Sequence, residues 1–267
     1  MGPKYVWRWL ASIALLASLV SPAAAQTAQA PAPPVPDCPD VARAIRDMMT
    51  NDARLRDWPN LTRYRQADAD LARSGDVVPV VFLGDSITDR WDDEGSGGFF
   101  PGRHYVNRGI GGQTTPQMLI RLRPDVLSHH PKVMVLLAGT NDIAGNTGPM
   151  TDEEIEGHLA SMAELAKAHG IKVVMASITP TSAYHPPANG GAPQTTQRPM
   201  ARIKAINAWM QQYAAANGHV YLDYFTPMLD ATGLMKAELT GDDLHPNAAG
   251  YAIMGPLAEA AIQRALR

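Results

Sequence analysis

Three short, nearly uninterrupted apolar runs, Val80–Leu83, Val133–Ala138 and Val173–Ile178, constrain this chain more than any other feature. Each is too short for a stable helix and lacks the alternation of a half-exposed strand. Such runs suit strands buried on both faces, as in a parallel sheet. Weaker runs at His104–Asn107 and His219–Asp223 extend the set to five. Helical periods lie between them. Thr115-Pro116 opens a helix that turns Leu119 and Leu122 inward. Thr151 and Glu154 form a capping box for a helix carrying Ile155, Leu159, Met162 and Leu165, stopped by Gly170. Ile203, Ile206, Met210 and Tyr213 mark another, stopped by Gly218. The last runs from about Asn247 to Leu266, with a kink expected at Pro256. Five strand–helix alternations predict a three-layer α/β/α domain around a parallel sheet, without internal repeats.

Upstream of the first strand, two more helical patterns are expected to brace the domain from outside, within residues 38–74. One shows Val41, Ile45, Met48 and Met49 on a single face. The other carries Leu61, Tyr64, Ala67, Asp68 and Leu71, with Asn60 as N-cap and Gly75 as stop. Before them, residues 26–36 hold only Ala, Gln, Pro, Thr and Val and read as a disordered linker. Residues 1–25 read as a signal peptide: Lys4 and Arg8, an apolar run from Leu10 to Val20, then Ala23-Ala24-Ala25. That run is shorter than the roughly 20 apolar residues a membrane span requires. Cleavage near Ala25 predicts a secreted or periplasmic protein with no stable membrane anchor, and a single domain over 37–267. Loss of Lys4 and Arg8 makes the mature chain two units more acidic than the formal −3. An acidic balance argues against a nucleic-acid partner. Cys38, the one cysteine, excludes an internal disulfide and a cysteine-based zinc site.

Open parallel sheets bind ligands at the carboxyl ends of their strands. The segments there are Gly84-Asp85-Ser86, Asn107–Gly112, Gly139-Thr140-Asn141-Asp142, the 21-residue loop Thr179–Pro199, and Gly241–Pro246. Position also sorts the eight histidines. His104, His129, His130 and His219 lie at strand entrances, the wrong edge, while His158 and His169 belong to a helix. His185 sits in the long loop without a nearby acid. His245 stands at the right edge with Asp242 and Asp243 just upstream, which suits a general base with an orienting acid. Such a base would serve Ser86, whose hydroxyl is a poor nucleophile until an imidazole takes its proton. A tetrahedral intermediate also needs donors for its oxyanion, available from the Ser86 and Gly112 amides and the Asn141 side chain. Taken singly, Ser86 reads rather as a helix N-cap, Gly112 as a turn glycine and Asn141 as a loop cap.

Together, Gly84-Asp85-Ser86, Gly109–Gly112, Gly139–Asp142 and Asp242-x-x-His245-Pro246 resemble the four sequence blocks of the SGNH/GDSL hydrolase family, in order. The likeness runs from about Val80 to the C-terminal helix. It implies a flavodoxin-like α/β/α fold with a five-stranded sheet, and metal-free, cofactor-free ester hydrolysis. By the same resemblance, Ser86 is the nucleophile, His245 the base and Asp242 its acid, with Ser86, Gly112 and Asn141 as the oxyanion hole. Asn107–Thr115 is most similar to the branch holding platelet-activating-factor acetylhydrolase subunits, lysophospholipase-like enzymes and carbohydrate acetylesterases. Asp243 departs from the pattern, since many relatives carry a small residue there, and a second carboxylate could share the histidine.

Other readings find less support. No G-x-S-x-G elbow, phosphate loop or H-E-x-x-H helix occurs. A metal site built from Asp85, Asp142, Asp242 and His245 would call for more acids and histidines at one edge. A catalytically silent carbohydrate- or lipid-binding relative would not need both a base and an oxyanion hole. The expected substrate is a short-acyl ester, an O-acetyl group on a glycan being the first choice and a lysophospholipid the second. Trp91–Phe100 and Thr179–Pro199 are the expected pocket walls.

Overall fold

Val81 and Leu83 point to one side of a central sheet and Val80 and Phe82 to the other, and all four are buried. This two-sided burial is why the run reads as continuous rather than alternating. The computed structural model describes residues 38–93, 95–187 and 190–267. Its strands are β1 (Val80–Gly84), β2 (Tyr105–Gly109), β3 (Val133–Leu137), β4 (Lys172–Ala176) and β5 (Val220–Leu222). They form one all-parallel sheet in the order β2-β1-β3-β4-β5. That is the flavodoxin-like doubly wound order, whose crevice opens where β1 parts from β3.

Two helices precede the sheet, α1 (Cys38–Arg56) and α2 (Arg65–Ser74). The others are α3 (Ser86–Asp89), α4 (Thr115–Asp125), α5 (Thr140–Ile143), α6 (Asp152–Ala168), α7 (Gln194–Gln197), α8 (Met200–Asn217) and α9 (Ala248–Ala265). Helices α4, α6 and α8 cover one face through Met118, Leu122, Ile155, Leu159, Ile203 and Met210. On the opposite face lies α9, where Ala258, Ala261 and Ile262 let the helix approach the sheet closely. The result is the expected three-layer α/β/α architecture.

Several local expectations need correction. The second helix starts at Arg65, not after Asn60. The Asp57 carboxylate instead accepts from the Leu61 and Thr62 amides at 2.7 and 2.9 Å, and Asn60 adopts φ 55° within that turn. An Asx side chain that captures amides this way competes with helix formation. Leu165 is exposed, its expected core place on α6 being taken by Ala163 and Ala166. Met48 and Met49 of α1 are also exposed, while Leu71 of α2 packs on the core. Helix α4, by contrast, opens at Thr115 as expected, capped by a box between Thr114 and Gln117. Helix α9 spans the expected range, with Asn247 as N-cap and Pro256 inside it.

The expected signal peptide (1–25), the linker (26–36) and the side chain of Cys38 lie outside the described residues. No helix among the described residues is long and apolar enough to cross a membrane. The chain divides into units 1–46 and 47–267, and the second holds the whole sheet and the site described below.

Candidate active site

Ser86 is the first residue of α3, immediately after β1. Its position depends on two glycines. A Cβ at Gly84 would lie 2.0 Å from Thr88 Oγ1, and one at Gly109 would lie 2.1 Å from the Asp89 amide nitrogen. The ends of β1 and β2 can therefore close onto α3 only with hydrogen at both places. Arg121, fully buried on α4, donates to the Gly84 and Arg108 carbonyls, each at 2.8 Å, and pairs with Asp125 at 2.7 Å. It thus clamps the carboxyl ends of both strands beneath the serine.

The half-buried Ser86 hydroxyl lies 2.9 Å from His245 Nε2. On the other side of the ring, His245 Nδ1 lies 2.6 Å from Asp242 Oδ2. Oδ1 of the same carboxylate accepts from the Leu244 and His245 amides at 3.1 and 2.8 Å. Partial burial works against the charge of Asp242, but the bonds from the His245 ring and amide more than offset it. Its carboxyl is held well below the usual range.

Asp243 belongs to a different assembly, so the expectation that it could share His245 does not hold. With φ 66°, it turns its carboxylate away to the long loop. There it takes the Ser182 hydroxyl (2.5 Å), the Tyr184 and His185 amides (3.1 and 2.8 Å) and His185 Nδ1 (2.9 Å). His185, expected to lack an acid, therefore has one supplied 58 residues away. Burial opposes ionisation of Asp243 too, and these bonds outweigh it, keeping the carboxyl below its ordinary value.

Gly112 and Asn141 sit on neighbouring loops. The Gly111–Gly112 turn runs close beside the serine, since a Cβ at Gly111 would be 3.8 Å from Ser86 Cβ. Gly112 needs its left-handed φ of 77° there, and its carbonyl accepts from Asn146 Nδ2 at 3.0 Å. Asn141 is buried and donates from Nδ2 to the Gln113 carbonyl at 3.0 Å. The Ser86 amide is at a helix start, where N–H groups have no intrahelical partner.

Asp85 and Asp142 serve structure. Asp85 caps α3, its Oδ1 accepting from the Ile87 amide at 2.9 Å, while Oδ2 has no partner among the described residues. Asp142 accepts from the Thr115 amide at 2.9 Å and ties α5 to α4. Among the described residues, no three His, Cys, Asp or Glu side chains gather as a metal ion would require. Burial pushes the Asp85 carboxyl up to about 6, the Ile87 amide only partly countering it. A carboxyl whose folded value exceeds its unfolded one favours folding below the unfolded value. That stability is lost as pH rises through the window from 3.8 to about 6. Asp85→Asn keeps an acceptor for the cap and removes the charge. It should raise the melting temperature at pH 8 and leave it nearly unchanged at pH 4. An equal shift at both pH values would show that the carboxyl does not titrate in this window.

Of the expected pocket walls, the 91–100 segment lines a groove of about 360 Å³ against α9 through Trp91, Ser96, Gly97, Gly98 and Phe100. Trp91 is core, stacked on Tyr251 at 4.9 Å and packed with Phe82, Phe99 and Phe100. A second groove, which contains Gly112, has a volume of about 670 Å³ and is walled by the 57–62 turn and by Asn146 and Thr147. Sequence patterning missed this wall because nothing local links Trp58 to Gly112. The contacts that bring them together are side-chain ones, Gln113 and Gln117 donating to the Pro59 and Trp58 carbonyls at 2.7 Å.

A hydroxyl, an imidazole and a carboxylate in line at the carboxyl edge of a parallel sheet define the class, an α/β/α acyl hydrolase. The chain belongs to the GDSL-like Lipase/Acylhydrolase family, whose model matches residues 82–253. It is accordingly an ester hydrolase. Platelet-activating factor acetylhydrolase IB subunit alpha1 of Bos taurus is 32% identical over 194 residues, 68% of this chain and 74% of that one. The uncharacterized lipoprotein YqeF of Bacillus subtilis is 35% identical over 78 residues, so this chain spans about a third of its length (32%), using 28% of its own. Among solved structures, a GDSL-like lipase of Bacteroides thetaiotaomicron is 37% identical with a TM-score of 0.68, covering 78% of this chain and 98% of that one.

Proposed function

We propose that this chain is a secreted or periplasmic serine esterase that removes short acyl groups, above all O-acetyl groups on glycans, through an acyl-enzyme on Ser86. One observation carries the reading: Ser86 Oγ, His245 and Asp242 form a continuous hydrogen-bonded line of 2.9 and 2.6 Å. In the first half-reaction Ser86 Oγ bonds to the ester carbonyl carbon while its proton passes to His245 Nε2. Asp242 fixes the ring tautomer and stabilises the imidazolium. The carbonyl oxygen takes up the negative charge and is met by the Ser86 and Gly112 amides and by Asn141 Nδ2. When the intermediate collapses, the alcohol leaves with the proton from Nε2. Water, deprotonated by the same nitrogen, then attacks the acyl-serine, and the carboxylic acid departs.

The substrate class rests on the groove at Gly112. Trp58 and Ile110 share its lining with Asp57, Asn60, Gln113 and Asn146, a mixture that suits a polar alcohol such as a sugar. The name of the bovine relative, an acetylhydrolase, agrees with a short acyl group. The amino-terminal pattern of Lys4, Arg8, the Leu10–Val20 run and Ala23–Ala25 supports export. Turnover of p-nitrophenyl esters from acetate to palmitate, followed by acetylated xylo-oligosaccharides, tests the reading. Acetate should be the best simple ester, and acetate should be released from the oligosaccharide. A kcat/KM that climbs with chain length would favour lipid esters, and no turnover of any ester would favour a silent binder.

A further inference from the structure

Arg198 presents a charge that the chemistry above leaves unused. It ends the long loop after β4, and its side chain is buried at 5% exposure. Its hydrogen-bond acceptors are all neutral: Thr140 Oγ1 at 3.1 Å, Gln194 Oε1 at 2.5 Å and Asn141 Oδ1 at 3.3 Å. Among the described residues no carboxylate lies within ion-pair distance of it. Asp85 and Asp242 act on it only at longer range. A guanidinium stays charged, and burying it without a paired anion is costly. Arg121, the other deeply buried arginine described above, has Asp125 beside it. If Arg198 only had to fill space and bond neutral oxygens, a neutral amide would serve at lower cost.

The acceptor that matters is Asn141 Oδ1. A primary amide has two N–H donors. One of those of Asn141 is committed to the Gln113 carbonyl, leaving the second for a ligand. Donation from a cation into the amide oxygen draws electron density from the nitrogen and strengthens its remaining donor. It also prevents the amide from flipping, since only the oxygen can face the guanidinium.

We propose that Arg198 is a positioning residue of the oxyanion hole, acting through Asn141 to orient and polarise the amide that meets the developing negative charge. The inference rests on the assignment of Asn141 to that hole. It gives the 179–199 loop a definite task, to deliver a buried cation behind the amide. The interaction gains strength as charge builds on the substrate oxygen, so its loss should appear in kcat far more than in KM.

A double-mutant cycle on the full-length chain, with p-nitrophenyl acetate as probe, tests this. Asn141→Ala alone should lower kcat by about 10²–10³. Arg198→Gln alone should lower kcat by roughly 10- to 100-fold with KM within about twofold, an order below full loss of the donor. In the Asn141→Ala background, Arg198→Gln should change kcat by less than about twofold, because the partner it acts through is gone. Arg198→Lys keeps the charge on a single nitrogen, without the planar fork, and should lose only a few-fold, again only when Asn141 is present. It carries the test if the glutamine variant does not fold. Equal fold-losses in both backgrounds would overturn the proposal and leave Arg198 a merely structural side chain. An unchanged kcat for Asn141→Ala would overturn the oxyanion assignment itself, and the proposal with it.

Discussion

Ser86→Ala is expected to lower kcat for p-nitrophenyl acetate by on the order of 10⁶-fold, the scale of losing the nucleophile of a hydrolase triad. The argument is geometric. The hydroxyl makes one hydrogen bond among the described residues, to His245 Nε2, and in the proposed mechanism that bond is the proton's exit. The α3 start does not depend on it, because Asp85 supplies the cap to the Ile87 amide. Alanine therefore removes the reaction without removing a structural contact, and the melting temperature should stay close to that of the native chain. The same preparations treated with a fluorophosphonate should divide cleanly in mass spectra: one adduct on the native chain and none on the alanine variant. A variant that keeps turnover within tenfold of native would remove Ser86 from the chemistry, whatever its distance from His245.

The strands and the residues that follow them were legible in sequence, for a physical reason. Two-faced burial leaves a continuous apolar run, as in β1 and β3, where every residue is buried. Parallel order then sends the end of each run to a single edge, so Ser86, Asn141 and His245 could be expected there before any coordinate. Contacts made across long separations left no such trace. The turn at 57–62 forms because Asp57 captures two amides, and helical spacing cannot reveal that choice. Gly112 reads as a turn glycine, but its groove depends on Trp58, which reaches it through glutamines on α4 and the loop before it. Nothing in the sequence around Arg121 and Arg198 marks them as buried. Burial of such groups is exceptional, and it is set by backbone carbonyls, Asp125, Thr140, Asn141 and Gln194 rather than by neighbours in sequence. Trp91 does two jobs that its glycine-rich stretch could not separate: it lines a groove with Ser96, Gly97 and Phe100 and is 3% exposed within an aromatic cluster.

The two adjacent carboxylates allow a sharper experiment than the serine does. Asp242→Asn should cost about 10⁴-fold in kcat, because the imidazole loses the acceptor that holds its proton on Nδ1. An amide nitrogen at the Oδ2 position would donate to Nδ1 and leave the proton on Nε2, where it blocks transfer from Ser86. Asp243→Asn should behave differently. Its carboxylate makes no bond to His245 among the described residues, and it gathers Ser182, Tyr184 and His185 instead. Neutralising it weakens several buried hydrogen bonds, so the expected loss is stability, about 1–3 kcal/mol, with kcat within tenfold of native. Chemical denaturation and kcat at pH 8, measured on both variants, separate the outcomes. A 10⁴-fold fall in kcat for Asp243→Asn with little change for Asp242→Asn would transfer the orienting role to the other acid. Equal falls would mean that His185–Asp243 and His245–Asp242 work as one coupled pair, so that the loop which carries Arg198 is part of the proton-transfer apparatus as well.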